Sequence, residues 1–309
     1  METMIVLASL ACLAFCLVNL HTININFASN SKLSQRKKYL IASGAPLLTR
    51  SALILMVMSI GSSATLLRDV LFTYVTTGLI SVTAFSVFLV IKNKTSSLNE
   101  QLINYYLPTI LIALVMHLVF VNHIPALDYL SWLCFVSLVS VVTYLISISD
   151  KERSIYVKCL TLSQSNAQSG WLVLPFAIIS LISAFLIGRY ADTSWLSGSL
   201  LGFMFAGALF APEIVMVANF LKQDKVQSAF IVMLDAALSS VLVIIPIVSL
   251  AVYFLDIENI TSFTDRQTLL TVVVFTAVYF THRIKDLGSL QASMLIGLTT
   301  VVIYLSAFI

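Results

Sequence analysis

Glu213 directly follows Pro212 inside the apolar run GALFAPEIVMV, residues 207–217. A carboxylate at the centre of a bilayer costs roughly 2.5–3.5 kcal/mol on insertion scales, so it demands a partner or a use. Pro212 has no N–H, and its ring clashes with the preceding turn. It is therefore expected to kink or break its helix and to free carbonyls near Ala208 and Leu209. Free carbonyls beside a carboxylate make a hard oxygen site suited to an inorganic cation. Asp235 stands in the next apolar run, with Ser239 and Ser240 one turn later to add hydroxyl oxygens. Glu213 and Asp235 are thus the expected ligands of a metal cation. Asp69 is a third candidate, and Pro46 marks a second expected helix break. Arg50 lies about eleven residues into its apolar run, too deep to reach the interface easily. It requires a carboxylate, Asp69 or Glu213, and would act as an internal counter-charge that lowers the site's negative charge. The plainer alternative makes Pro212 an ordinary membrane-helix kink and Glu213 a neutral or hydrogen-bonded carboxyl. Asp128 and Asp192 stand at helix starts and read as caps. His117 reads as a packing residue rather than a proton relay.

The elements that must position these residues are membrane helices. The chain has 309 residues, 59% hydrophobic and 10% charged, with a mean hydropathy of +1.00. A soluble globular chain is about 25% charged, so this composition defines a polytopic membrane protein. A net charge of +3 is too small to indicate nucleic acid. The expected partners are the lipid bilayer and small inorganic cations. Cys12, Cys16, Cys134 and Cys159 have no metal-type spacing, and the three in apolar runs read as reduced packing residues. The chain has no H-E-x-x-H or G-x-S-x-G motif and no other nucleophile signature, which argues against an enzyme. No cofactor is implied beyond a transported cation. The first apolar run reads as a helix and not as a signal peptide.

Ten spans are expected, at 4–22, 39–60, 66–91, 102–121, 127–148, 170–188, 197–221, 227–252, 267–281 and 288–309. Thirteen of the seventeen lysines and arginines, from Lys32 to Lys285, fall on one side of these spans. Arg68, Arg189 and Arg266 fall on the other, and Arg50 lies within a span. The positive-inside rule makes the richer side cytoplasmic and places both termini outside. The expected location is the plasma (inner) membrane. A shift of 166 residues aligns 45–101 with 211–267 without a gap. Ala45-Pro46 then meets Ala211-Pro212, Asp69 meets Asp235, and Gln101 meets Gln267. Farther on, VVTYL at 141–145 meets VVIYL at 301–305. Five helices per repeat, an odd number, require inverted halves. The expected fold is therefore all-α, ten helices in two inverted five-helix repeats, 1–149 and 170–309, joined by a cytoplasmic linker at 150–169. Hydropathy alone puts Asp69 at the lip of its helix; the alignment puts it deeper, at the depth of Asp235, and that placement is adopted.

With this layout the chain resembles the calcium/cation antiporter superfamily, the sodium/calcium and cation/proton exchangers. Their halves carry a G-T-S-x-P-E type motif in the second helix and a G-N-x-x-G-S-N type motif in the third. GALFAPE at 207–213 resembles the first motif, and Asp235 falls in the region of the second. The ending HRIKDLGSLQASMLIGLTTVVIYL is similar to the superfamily's last hairpin. Departures are equally specific. Leu209 and Phe210 stand in place of hydroxyl residues, FIVMLDAALSS replaces the second motif, and Leu47 stands where the first half should carry its glutamate. The resemblance carries over only Glu213 as a site residue. It implies a secondary transporter exchanging a cation, Ca²⁺ among the candidates, for Na⁺ or H⁺ by alternating access. With protons as the counter-ion, exchange would depend on pH. The alternatives are a ten-helix carrier of organic solutes of the drug/metabolite type, and a degenerate relative that does not transport.

Overall fold

In the computed structural model of the chain, the described residues are 1–30, 38, 44–60, 64–92, 100–121, 129–147, 170–191, 193–194, 198–255, 264–283 and six positions between 293 and 301. Every long element among them is helical. They are α1 (Glu2–Asn30), α2 (Ala45–Ile60), α3 (Ala64–Ile91), α4 (Glu100–Val121) and α5 (Tyr129–Ser147). Then follow α6 (Val173–Tyr190), α7 (Gly198–Lys222), α8 (Val226–Phe254) and α9 (Asp265–Arg283). Nine of the ten expected spans thus correspond to helices. The tenth, 288–309, falls largely outside the described residues, as do the linker 150–169 and Asp128 and Asp192. Among the described residues, five helices are long and apolar enough to cross a membrane: α1, α3, α6, α7 and α8. Large apolar side chains stay exposed along α6, among them Leu174, Ile182 and Phe185, as expected of a face toward lipid. The protein is an integral membrane protein.

The helices are layered around α8. In the most apolar eighteen residues of α8, 94% are buried, against 28% in α6. A helix apolar on all sides belongs in the centre of a bundle. Helices α3 and α7 flank α8, α5 covers its C-terminal half, α1 packs on α6 and α7, and α2 packs on α6. Close approach depends on glycines. A Cβ on Gly188 of α6 would lie 2.8 Å from the Val57 carbonyl of α2. A Cβ on Gly78 of α3 would lie 3.1 Å from Phe210 and 3.3 Å from Ser240 Oγ. Small residues at such contacts let membrane helices pack by dispersion.

Hydroxyl groups buried in α3 bond to carbonyls of the preceding turn, Thr73 to Asp69 at 2.6 Å and Thr76 to Phe72 at 2.7 Å. This satisfies them where water cannot. Helix α8 contains one π-helical turn, Ser240–Ile244, closed by the Ile245 N–H donating to the Ser240 carbonyl. Pro246 follows immediately. Having no N–H for the carbonyl four residues earlier, it favours a local widening over a regular turn.

Helices α7 and α8 form a tight hairpin. The Lys225 N–H reaches the Phe220 carbonyl at 2.9 Å, and the Asp224 N–H reaches the Leu221 carbonyl at 3.2 Å. Asp224 adopts φ 55°. Together these define a Schellman-type helix stop with aspartate in the left-handed position usually held by glycine. The turn sets the register of everything that follows in α8.

Candidate functional site

Glu213 lies eleven residues before Asp224, and Asp235 eleven after it (213, 224, 235). At 1.5 Å per residue, both carboxylates therefore lie about 16 Å from the same turn. The hairpin brings them to one depth and to the wall of one cavity. That cavity encloses about 10 Å³, roughly the room a single water or dehydrated ion requires. Its wall also includes Pro46, Leu47 and Arg50 of α2, Tyr144 of α5, His21 of α1 and Ser239 of α8.

Of the two carboxylates expected for Arg50, the structure pairs it with Glu213, Nη2 against Oε2. Both side chains are buried, 3% and 8% exposed. The Arg50 guanidinium also lies over the Phe210 ring, 5.5 Å from its centroid. Phe210 in turn stacks on Tyr74 of α3, with centroids 4.8 Å apart and planes 14° from parallel. Phe210, which in the sequence marks a departure from the hydroxyl pattern, thus supplies a cation–π surface for the buried arginine. Asp235 accepts a hydrogen bond from the Tyr144 hydroxyl at 3.0 Å. The Ser239 hydroxyl donates to the Ala236 carbonyl at 3.0 Å while lining the cavity.

Other expected residues are placed differently. Ser240 does not line the cavity; its hydroxyl donates to the Ala237 carbonyl at 2.6 Å, beside Gly78. Asp69 is a clear correction to the depth adopted from the repeat alignment. It lies in the second turn of α3 and accepts a hydrogen bond from Gln267 Nε2 at 3.0 Å. Gln267 sits in the first turn of α9, where Thr264 and Gln267 form a reciprocal capping box at 3.1 and 3.2 Å. Asp69 therefore serves the end of a helix and not the central cavity. Hydropathy gave the better guide, because α3 begins at Ala64, only five residues earlier, whereas α8 begins nine residues before Asp235. The two prolines are likewise not breaks. Helix α7 runs unbroken through Pro212, and Pro46 occupies the first turn of α2, where its missing N–H has no helical partner to lose. His117 of α4 is buried with its ring tilted 33° against Phe275 of α9, the packing role expected of it.

Two residues of the wall were not anticipated. His21 is buried, and neither ring nitrogen has a hydrogen-bond partner among the described residues. It stands between the central cavity and a neighbouring one of about 20 Å³ that reaches Asn24, Thr49 and Pro212. The signal lay in the polar pair His21 and Asn24, three residues apart on one face at the end of an apolar run. Tyr144 belongs to VVTYL, the segment already matched to VVIYL in the repeat. Among the described residues, no three His, Cys, Asp or Glu side chains gather closely enough to hold a metal ion. Glu213 and Asp235 stand as two carboxylates, one of them already paired.

The fold and this site define an all-helical membrane protein with two buried acids on the wall of one central cavity. More particularly, the chain shares its fold with two solved structures. It superposes on the structure of native YfkE with a TM-score of 0.69 and 12% identity, over 100% of this chain and 92% of that one. It superposes on the H⁺/Ca²⁺ exchanger CAX with a TM-score of 0.55 and 14% identity, over 97% of this chain and 86% of that one. No family model and no curated protein matches the sequence.

Proposed function

We propose that the chain is a secondary active transporter exchanging a cation for Na⁺ or H⁺ by alternating access around Glu213 and Asp235. One observation carries this reading: an ion-sized cavity at the heart of the bundle where two buried acids from consecutive helices meet. Acids within the membrane-spanning core are costly and mark ion pathways. The likeness to the H⁺/Ca²⁺ exchanger CAX supports cation exchange. In this reading, residues 1–149 and 170–309 are inverted five-helix halves, with 150–169 as the cytoplasmic linker between them. Rocking one half against the other exposes the cavity to each side in turn. The protein resides in the plasma (inner) membrane with both termini outside. A cavity of about 10 Å³ is far below the few hundred Å³ that an organic solute occupies, which disfavours a drug/metabolite carrier.

Flux in proteoliposomes under imposed Na⁺, K⁺, Ca²⁺, Mg²⁺ and pH gradients tests the proposal. Glu213→Gln and Asp235→Asn are each expected to lower exchange at least tenfold while leaving the protein in the membrane. Undiminished exchange in both variants would sink the assignment of the site.

A further inference from the structure

The permanent ion pair fixes the charge the site can take. Three charged side chains line the central cavity: Glu213, Arg50 and Asp235. Glu213 and Arg50 are in contact and cancel. Asp235 alone supplies an uncompensated negative charge. The Arg50 guanidinium also lies over Phe210, 5.5 Å from its centroid, and the Phe210 ring is packed from two directions. Tyr74 stacks on one face at 4.8 Å, and a Cβ at Gly78 would already meet its edge at 3.1 Å. Among the described residues, the first half contributes no replacement acid to the wall; Leu47 occupies it one turn before Arg50.

We infer that the site takes one positive charge per cycle, a dehydrated alkali cation or a proton at Asp235, and rejects divalent cations. This rests on the antiporter reading above and narrows its substrate class. A monovalent ion at Asp235 leaves the cavity neutral. A divalent ion leaves a net positive charge beside a guanidinium in surroundings where water cannot screen it. Coordination points the same way. Ca²⁺ takes six to eight oxygens, and Mg²⁺ dehydrates reluctantly. Once Arg50 holds Glu213 Oε2, the only other carboxylate on the wall among the described residues is that of Asp235, whereas sites for either ion are built around several charged oxygens.

The test uses the full-length protein in proteoliposomes and, in parallel, ligand-dependent thermal stability in detergent. Na⁺, K⁺, Li⁺ or H⁺ is expected to drive Asp235-dependent exchange. Ca²⁺ and Mg²⁺ at tenfold excess are expected neither to be carried nor to inhibit. Arg50→Gln, which releases Glu213, is expected to make Ca²⁺ inhibitory and stabilising. Ca²⁺ exchange by the wild-type protein that Asp235→Asn abolishes overturns the inference and leaves the antiporter reading standing. So does a folded Arg50→Gln protein whose response to Ca²⁺ is unchanged, because Arg50 is then not the selecting group. If Arg50→Gln does not fold, the wild-type selectivity decides alone. Absence of flux for every cation overturns the antiporter reading and the inference with it.

Discussion

Arg50 and Glu213 form a buried ion pair. Removing one partner of a buried pair leaves an uncompensated charge, at a cost of about 3–5 kcal/mol. Arg50→Ala is therefore expected to lower the thermal stability of the detergent-solubilised protein sharply. Arg50→Ala combined with Glu213→Ala is expected to recover much of that loss, and the double-mutant cycle measures the coupling. Tyr144→Phe is a subtler change. It removes the 3.0 Å hydrogen bond to Asp235 and leaves the ring in place. Its expected effect is a change of up to about 2 kcal/mol in cation affinity, read as up to about a thirtyfold change in KM with the protein still folded. At this scale the sequence revealed the costly residues and not their partners. A buried acid stands out against leucine and valine in any apolar run. Tyr144, Phe210 and His21 do not, because aromatic and imidazole side chains are ordinary in membrane helices and acquire meaning only when another helix meets them.

Helices were legible because the bilayer imposes their length. Nine spans could be read from apolar runs alone, and the main misreadings were at prolines and ends. Pro46 begins a helix and Pro212 is carried within one, since neighbouring helices can support a backbone that has lost a single bond. Helix α1 continues to Asn30, eight residues beyond the end of its expected span at 22. The polar residues Asn24 and Asn26 ended the apolar run without ending the helix. Packing between helices left a fainter trace, because a glycine at a contact looks like any other glycine in the sequence. Gly188 makes the point testable. Its added Cβ would meet the backbone oxygen of Val57 at 2.8 Å, and a backbone atom cannot rotate away. Gly188→Ala is expected to destabilise the α2–α6 contact by about 1–3 kcal/mol, measured as a lowered unfolding temperature in detergent. Ala184→Gly, one turn earlier at a buried position, is the matching control for helix propensity.

At the scale of the whole molecule, the asymmetry of lysine and arginine predicts an orientation that single cysteines can check. In a background lacking the native cysteines, Glu2→Cys is expected to react with a membrane-impermeant maleimide added to intact cells. Ser154→Cys, in the linker, is expected to react only after permeabilisation. The reverse pattern would invert the assignment of sides. One further consequence follows from the paired arginine. Each elementary charge moved through a membrane potential of 100 mV changes its energy by about 2.3 kcal/mol. A carrier whose central charges sum to zero whenever an ion is aboard offers that potential nothing to pull on. One-for-one exchange of monovalent ions would then run at the same rate in a polarised cell and a depolarised one, driven by concentration alone. By keeping its own cation next to Glu213, the protein would have disconnected its cycle from the membrane voltage.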